Sequence, residues 1–309
     1  MKAIFDKSGS FICKEPSAVA LGTFDGIHLG HRALINELAV RKKQLGCRSI
    51  IYTFMRHPLT RIKPDRVPPQ IMLLSEKIRA FSLLDIDLLV LNDFNRQFMQ
   101  QEPEDFAAQL LTNYNLKTLV VGYNFRFGHK GQGDVTLLRR IADEKGFELV
   151  VVDPVKKDGE IVSSSIIREL IREGHVNRAA ECLGSPYSIS GVIKHGYGRG
   201  KGLGFPTANL DYPKQKVIPK PGVYLTLCRT LGSWHWGVTN VGSNPTFSGS
   251  GLNIETHLLN FTGILYNKRF RVFFVTRLRD EIQFPSPAGL TVQLRKDIIT
   301  AKNLIYKIL

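Results

Sequence analysis

Cysteine is scarce in this chain: four residues in 309, Cys13, Cys47, Cys182 and Cys228, with no Cys-x-x-Cys among them. That spacing argues against a disulfide framework or a structural zinc site, so all four read as ordinary buried thiols. Long apolar runs are absent too. No stretch approaches the roughly 20 residues that span a bilayer, and the opening Met-Lys-Ala-Ile-Phe-Asp has no apolar signal-peptide core, which predicts a cytoplasmic protein without a membrane partner. There is no Gly-x-x-x-x-Gly-Lys-Ser/Thr run, so an ATP site here is not a P-loop. Internal repeats and low-complexity tracts are missing. Acidic residues are the minority, 27 against 42 lysines and arginines, and the net charge of +15 favours an anionic partner. The basic residues are spread along the chain, which argues for small phosphorylated substrates over nucleic acid.

What is present suggests two domains, since 309 residues exceed one core of roughly 100–200. As far as Val152 the chain alternates apolar strands with amphipathic helices. Strands are predicted over Ser17–Leu21, Arg48–Phe54, Asp87–Leu91, Thr118–Gly122 and Phe147–Val152; helices are predicted from Gly30 onward and over Ser75–Leu84, Pro103–Tyr114 and Asp134–Lys145. This is the pattern of an α/β fold with a doubly wound parallel sheet, whose ligands bind at the carboxyl ends of the strands. Two short helical patterns follow, Ser165–Arg172 and Val176–Leu183, and Gly184-Ser-Pro186 marks a boundary. Beyond it, strand-like pieces over Tyr187–Ile193, Gly222–Cys228, Trp234–Asn240, Asn253–Asn260 and Lys268–Leu278 predict a small antiparallel barrel, closed by a helix over Leu290–Ile308.

The chemistry-bearing residues sit at strand ends. Gly22-Thr-Phe-Asp-Gly-Ile-His-Leu-Gly-His31 joins a strand to a helix; its glycines allow a tight turn, and free amides at the helix start attract anions. His28 and His31, three apart, can reach one polyphosphate and donate to oxygens that gain charge as an α-phosphate is attacked. A pair of surface histidines in a glycine turn is the plainer alternative. Ser163-Ser-Ser-Ile-Ile-Arg168 opens a helix with hydroxyls that suit either capping or phosphate. Gly122-Tyr-Asn-Phe-Arg-Phe-Gly128 offers stacking surfaces and an amide to a planar ligand, or core packing for Phe125 and Phe127. His57 before Pro58 is a ligand-side or a turn histidine.

In the second half, the run from Gly191 to Asn209 is dense in glycine, which lets backbone amides approach an anion, while Arg199 and Lys201 add charge. Thr207 and Asn209 offer hard oxygens to Mg²⁺. Glu255, in Glu-Thr-His-Leu-Leu, is placed to take a proton from an attacking hydroxyl.

These residues resemble a known family. GTFDGIHLGH, TFMRHP, GYNFRFG and SSSIIR, then GRGKGLGFPTANL, GVTNVGSNPTF, ETHLLNF and LRDE, are similar in order to the motifs of the prokaryotic bifunctional riboflavin kinase/FMN adenylyltransferases, or FAD synthetases. The resemblance covers nearly the whole chain. It implies a Rossmann-like nucleotidyltransferase domain over 1–184 and an antiparallel riboflavin kinase β-barrel with a terminal helix over 185–309. It also implies that riboflavin and ATP give FMN, and that FMN and ATP give FAD and pyrophosphate, with Mg²⁺ as cofactor.

Carried onto this sequence, the resemblance makes His28, His31 and Glu255 catalytic. Gly22, Phe24, Ser164, Ser165, Arg168, Gly198, Arg199, Gly200 and Gly204 would contact ATP. His57 and Asn124 would lie beside the flavin, and Thr207 and Asn209 beside the metal. Three positions depart from the family pattern: Arg56 stands where proline is frequent, Ser165 where threonine is usual, and Asn267 where glycine often follows the tyrosine. The competing readings are an HxGH nucleotidyltransferase for cytidylyl or pantetheine substrates with an unrelated barrel, and a basic RNA-binding protein. The PTAN run and Glu255 argue against the first and the unclustered charge against the second; oligomeric state is left open.

Overall fold

Five residues that are all buried, Ser17–Leu21, form the middle of a six-stranded parallel sheet, as an unbroken apolar run between two neighbours should. The computed structural model describes residues 1–195, 202, 204–242 and 252–308. Its contacts group the chain into two units, Met1–Ser164 and Ser165–Leu309.

In the first unit the strands β1 (Lys2–Asp6), β2 (Ser17–Leu21), β3 (Arg48–Phe54), β4 (Leu88–Asn92), β5 (Leu116–Gly122) and β6 (Glu148–Val152) lie in the order β1-β4-β3-β2-β5-β6. From β2 the chain winds outward through β3 and β4, then returns to add β5 on the other side. The strand order therefore reverses between β2 and β5, where doubly wound sheets open a crevice at their carboxyl ends. Alternate strand residues face opposite layers. Ala18, Ala20, Ile51 and Leu89 pack under Leu34, Leu38 and Phe81, which belong to α1 (Leu29–Leu45) and α3 (Leu74–Ser82). Val19, Leu21, Ile50 and Leu119 pack under Leu110 and Ile141, from α5 (Pro103–Tyr114) and α6 (Val135–Lys145). Two helices of one turn, α2 (Leu59–Ile62) and α4 (Arg96–Met99), flank the crevice.

Local chemistry sets the helix ends. Pro103 begins α5, where a missing N–H costs nothing, and Asp134 caps α6 by accepting from Leu137 N–H at 3.0 Å. In this unit two sheet elements lie outside the sequence-based expectation: β1 at the sheet edge, and the hairpin of β7 (Lys156–Lys157) with β8 (Glu160–Ile161).

The second unit opens with α7, whose first residue Ser164 belongs to the other unit (Ser164–Glu173), and α8 (Val176–Leu183), which packs along the barrel strand β14. Strands β9 (Ser188–Lys194), β10 (Ala208–Asp211), β11 (Gly222–Thr230), β12 (Ser233–Gly242), β13 (Asn253–Leu258) and β14 (Arg269–Arg279) close a barrel in the order β10-β13-β12-β11-β14-β9, all neighbours antiparallel. Strand β10 is the piece that periodicity misses: its four residues bridge β9 and β13 and complete the closure. Inside, the hydroxyls of Thr226, Thr239 and Thr256 on adjacent strands form a buried ladder at 2.8 Å per step. The closing helix α9 (Pro287–Ile308) lies on β12 and β14, anchored by Asp297, which accepts from Arg279 at 2.9 and 2.7 Å. Asn267 has φ +60°, the left-handed region that asparagine tolerates better than most residues, so it can hold a turn where the family often has glycine.

Candidate functional site

The turn after β2 is held in an uncommon backbone shape: Phe24, Gly26 and Ile27 all have positive φ, at +50°, +95° and +44°. Such conformations persist where surrounding contacts over-determine them. Here the Asp25 carboxylate accepts from Ile71 N–H at 3.1 Å and Met72 N–H at 2.9 Å. The hydroxyl of Ser164 donates to Asp25 C=O at 2.9 Å, and both Lys77 Nζ and Thr53 Oγ1 donate to Thr23 C=O, at 2.6 and 3.2 Å. Phe24 is completely buried, edge-on to Phe81 at 5.5 Å and tilted against His31 at 5.1 Å. Its ring is spent on packing, so only its backbone is available to a ligand.

That turn delivers two histidines to α1. His28 is the N-cap, its Nδ1 accepting from His31 N–H at 3.3 Å, and the two imidazoles stack with centroids 3.7 Å apart. An accepting Nδ1 puts the neutral ring's proton on Nε2, which is then the donor nitrogen. His31 Nδ1 is buried with no hydrogen-bond partner. Burial first, then the charges of His28 and Lys77, hold His31 well below the usual histidine range. Gly30 makes the stacking feasible, since a Cβ there would meet the His28 ring at 3.2 Å.

A cavity of about 1040 Å³ opens at the carboxyl ends of the strands, entirely within the first unit. Gly22, His28, His31, Asn124 and Ser164 line it, so five of the residues expected from sequence converge there. The predicted convergence of three strand-end segments holds, with Phe54 and Pro58 representing the Thr53–Pro58 segment and Gly122–Gly128 the third. His57 instead organises its own turn: its Nδ1 accepts from Leu59 N–H at 3.2 Å, and its carbonyl accepts from Thr60 Oγ1 at 2.7 Å. Ser165, exposed, and Arg168, buried, lie on α7 in the second unit. Phe94 and Phe98 were not foreseen: with Phe54 they form a mutually tilted trio with centroids 5.3 to 5.6 Å apart that lines the cavity. Phe94 and Phe98 fall between predicted elements, where periodicity carries no signal.

In the barrel, antiparallel register sets Asn209 of β10 directly opposite Glu255 of β13, and Glu255 opposite Asn240 of β12. Thr207 Oγ1 donates to Glu255 Oε2 at 3.4 Å. The segment before β10 is tied down by His257 Nδ1, 2.9 Å from Pro206 C=O, and by Phe205 edge-on to the same imidazole. Thr207, Asn209 and Glu255 thus come together as an all-oxygen donor set, the kind a hard divalent cation takes alongside phosphate. Asn240 completes the row; the GVTNVG run contains it, yet nothing in that run singles it out. Gly198, Arg199 and Gly200 lie outside the described residues, while Gly204 takes φ +83°, consistent with a tight turn before the strand.

The chain matches two family models, FAD synthetase over residues 11–166 and riboflavin kinase over 183–305. It is 34% identical to the bifunctional riboflavin kinase/FMN adenylyltransferase of Listeria monocytogenes across 90% of this chain and 89% of that one. It is 32% identical to the protein of the same name in Escherichia coli, across 94% and 93%. A crystal structure described as a macrolide-efflux protein from Streptococcus pneumoniae superposes with a TM-score of 0.90 at 29% identity, covering 97% of this chain and 99% of that one. Efflux is that description's word; among the described residues here, no helix is long and apolar enough to cross a membrane.

Proposed function

The chain belongs to the bifunctional riboflavin kinase/FMN adenylyltransferase family and converts riboflavin to FMN and FMN to FAD, and from that premise we propose how its residues divide the work. Residues 1–184 carry adenylyl transfer and 185–309 the kinase step. The observation that carries the first assignment is the stacked pair His28 and His31 at the cavity, with His31 Nδ1 buried and unpartnered.

In adenylyl transfer, an oxygen of the FMN phosphate attacks the α-phosphorus of ATP. A new P–O bond forms, the bond to the β-phosphate bridge breaks, and pyrophosphate leaves with the electron pair. The nucleophile is already an anion, so no general base is needed; alignment and charge stabilisation suffice. His28 donates through Nε2 to the phosphates, His31 satisfies its buried nitrogen on the same group, and Gly22 and the Phe24 backbone let the chain approach closely. Ser164, which lines the cavity, holds the triphosphate. The isoalloxazine ring fits the aromatic wall of Phe54, Phe94 and Phe98, with Asn124 and the His57 turn beside it.

In the kinase step a neutral ribityl hydroxyl attacks the γ-phosphorus, its proton passes to the Glu255 carboxylate, and ADP departs. Thr207 and Asn209 would hold Mg²⁺, which neutralises charge on the phosphates when bound. Gly198, Arg199, Gly200 and Gly204 cradle the nucleotide. ATP, riboflavin and FMN are the partners, with neither nucleic acid nor membrane required, and the cytoplasm, where ATP is available, is the assigned location.

The test is chromatography of flavins after incubating the protein with ATP, Mg²⁺ and either riboflavin or FMN, for the wild type and for His28→Ala and Glu255→Gln. Selective loss of FAD formation in the first variant and of FMN formation in the second supports this division. Equal loss of both activities in folded variants refutes it.

A further inference from the structure

Lysine is seldom buried, because its ammonium loses hydration that only a well-placed partner replaces. Lys77 of α3 is 8% exposed, and its Nζ donates to Thr23 C=O at 2.6 Å beneath the phosphate-binding turn. The same carbonyl already accepts from Thr53 Oγ1, so satisfying it did not require a buried charge. The chain has no cis peptide among the described residues, and in a trans peptide the carbonyl and the following N–H point in opposite directions. Drawing Thr23 C=O toward Lys77 therefore turns Phe24 N–H away from Lys77, and Gly22 and Thr23, which precede it in the turn, line the cavity.

We propose that Lys77 is a positioning residue for adenylyl transfer, its charged ammonium fixing the Thr23–Phe24 peptide so that Phe24 N–H is presented to the nucleotide phosphates. The proposal rests on the assignment of adenylyl transfer to this cavity. Three titratable groups bear on Lys77 from the elements around it. Asp25 of the turn favours its charged form. His31 of α1 is held neutral partly by its charge, and His28 is stacked on His31. Glu76 of its own helix is directed to Leu73 N–H at 2.9 Å. Burial brings Lys77 down to about 8, so its charge, although present at neutral pH, is lost in mild alkali. It touches no part of the reacting groups, and its influence passes through the turn and through His31.

The experiment compares FMN adenylylation by the wild type, Lys77→Met and Lys77→Arg between pH 6.5 and 9.5, with riboflavin phosphorylation by the same chain as an internal reference. Expected for Lys77→Met is a fall of about tenfold to a hundredfold in kcat/KM for ATP, the scale of a displaced substrate-positioning group. The kinase reaction should be unchanged and the wild-type alkaline limb near pH 8 absent. Lys77→Arg keeps a charged donor throughout the range, so it should retain activity and lose the limb; should the methionine variant fail to fold, this variant decides. An NMR titration gives a readout independent of turnover: without the Lys77 charge, His31 titrates closer to 6.5. Wild-type kinetics and an unmoved limb in the variants, or an unmoved His31, would overturn the proposal. Wild-type FAD formation that survives His28→Ala would instead remove the site assignment on which it rests.

Discussion

His31 N–H donates to Nδ1 of His28 at 3.3 Å while the two imidazoles lie stacked, 21° from parallel. A single contact thus caps a helix, fixes a tautomer and holds the neighbouring ring against Phe24. The cap and the proposed phosphate donor are the same residue, so its stability and activity roles should separate by substitution.

His28→Ala is expected to lower FAD formation from FMN by ~10²–10³, the usual loss when one donor to a developing charge is removed. It also forfeits the cap, worth ~1 kcal/mol. His28→Asn restores a capping oxygen but not the imidazole, so thermal melting should recover while adenylylation does not. Recovery of both together would show that the histidine acts only as a cap.

Glu255→Gln keeps the shape of the side chain and its contact with Thr207 while removing the proposed proton acceptor. Riboflavin phosphorylation should fall by ~10²–10⁴, the range for loss of a general base. Supplied FMN should still be adenylylated. A kinase rate equal to the wild type would take the base role away from Glu255.

Acidification should destabilise the first unit through His31. Burial holds its folded-state pKa well below 6.5, whereas the unfolded chain protonates near 6.5, so unfolding takes up a proton in the window below that value. The stabilisation is full above pH 6.5 and is lost as pH falls through the depressed folded value. Urea midpoints of the first unit should decline across this window, and His31→Gln should flatten the decline. The same slope in the variant would assign it elsewhere.

The threonine ladder in the barrel predicts a non-additive series. Thr239 bonds both Thr226 and Thr256 at 2.8 Å, so Thr239→Val strands the buried Thr256 hydroxyl and should cost ~1–3 kcal/mol. Replacing all three with valine removes the polar groups together and should cost less than the single change. Chemical denaturation of the wild type, the three single variants and the triple variant checks this, and simple addition of the three single costs would contradict it.

Much was legible along the chain because it depends on near neighbours. Alternating strand and helix periods predict the layered sheet, Pro103 and Asp134 mark helix starts, and the Gly22–His31 run identifies its turn, since these signals are carried by residues a few positions apart. The tertiary structure decided the rest. A four-residue segment, Ala208–Asp211, is a strand only because β9 and β13 lie on either side of it, and the facing of Asn209, Glu255 and Asn240 exists only in that register. Lys77, in an amphipathic helix, reads as a solvated charge until the turn after β2 folds over it. Period and composition record which face of an element is apolar; burial of one charge, the pairing of one carbonyl and the meeting of residues from distant strands are set by what packs against that face.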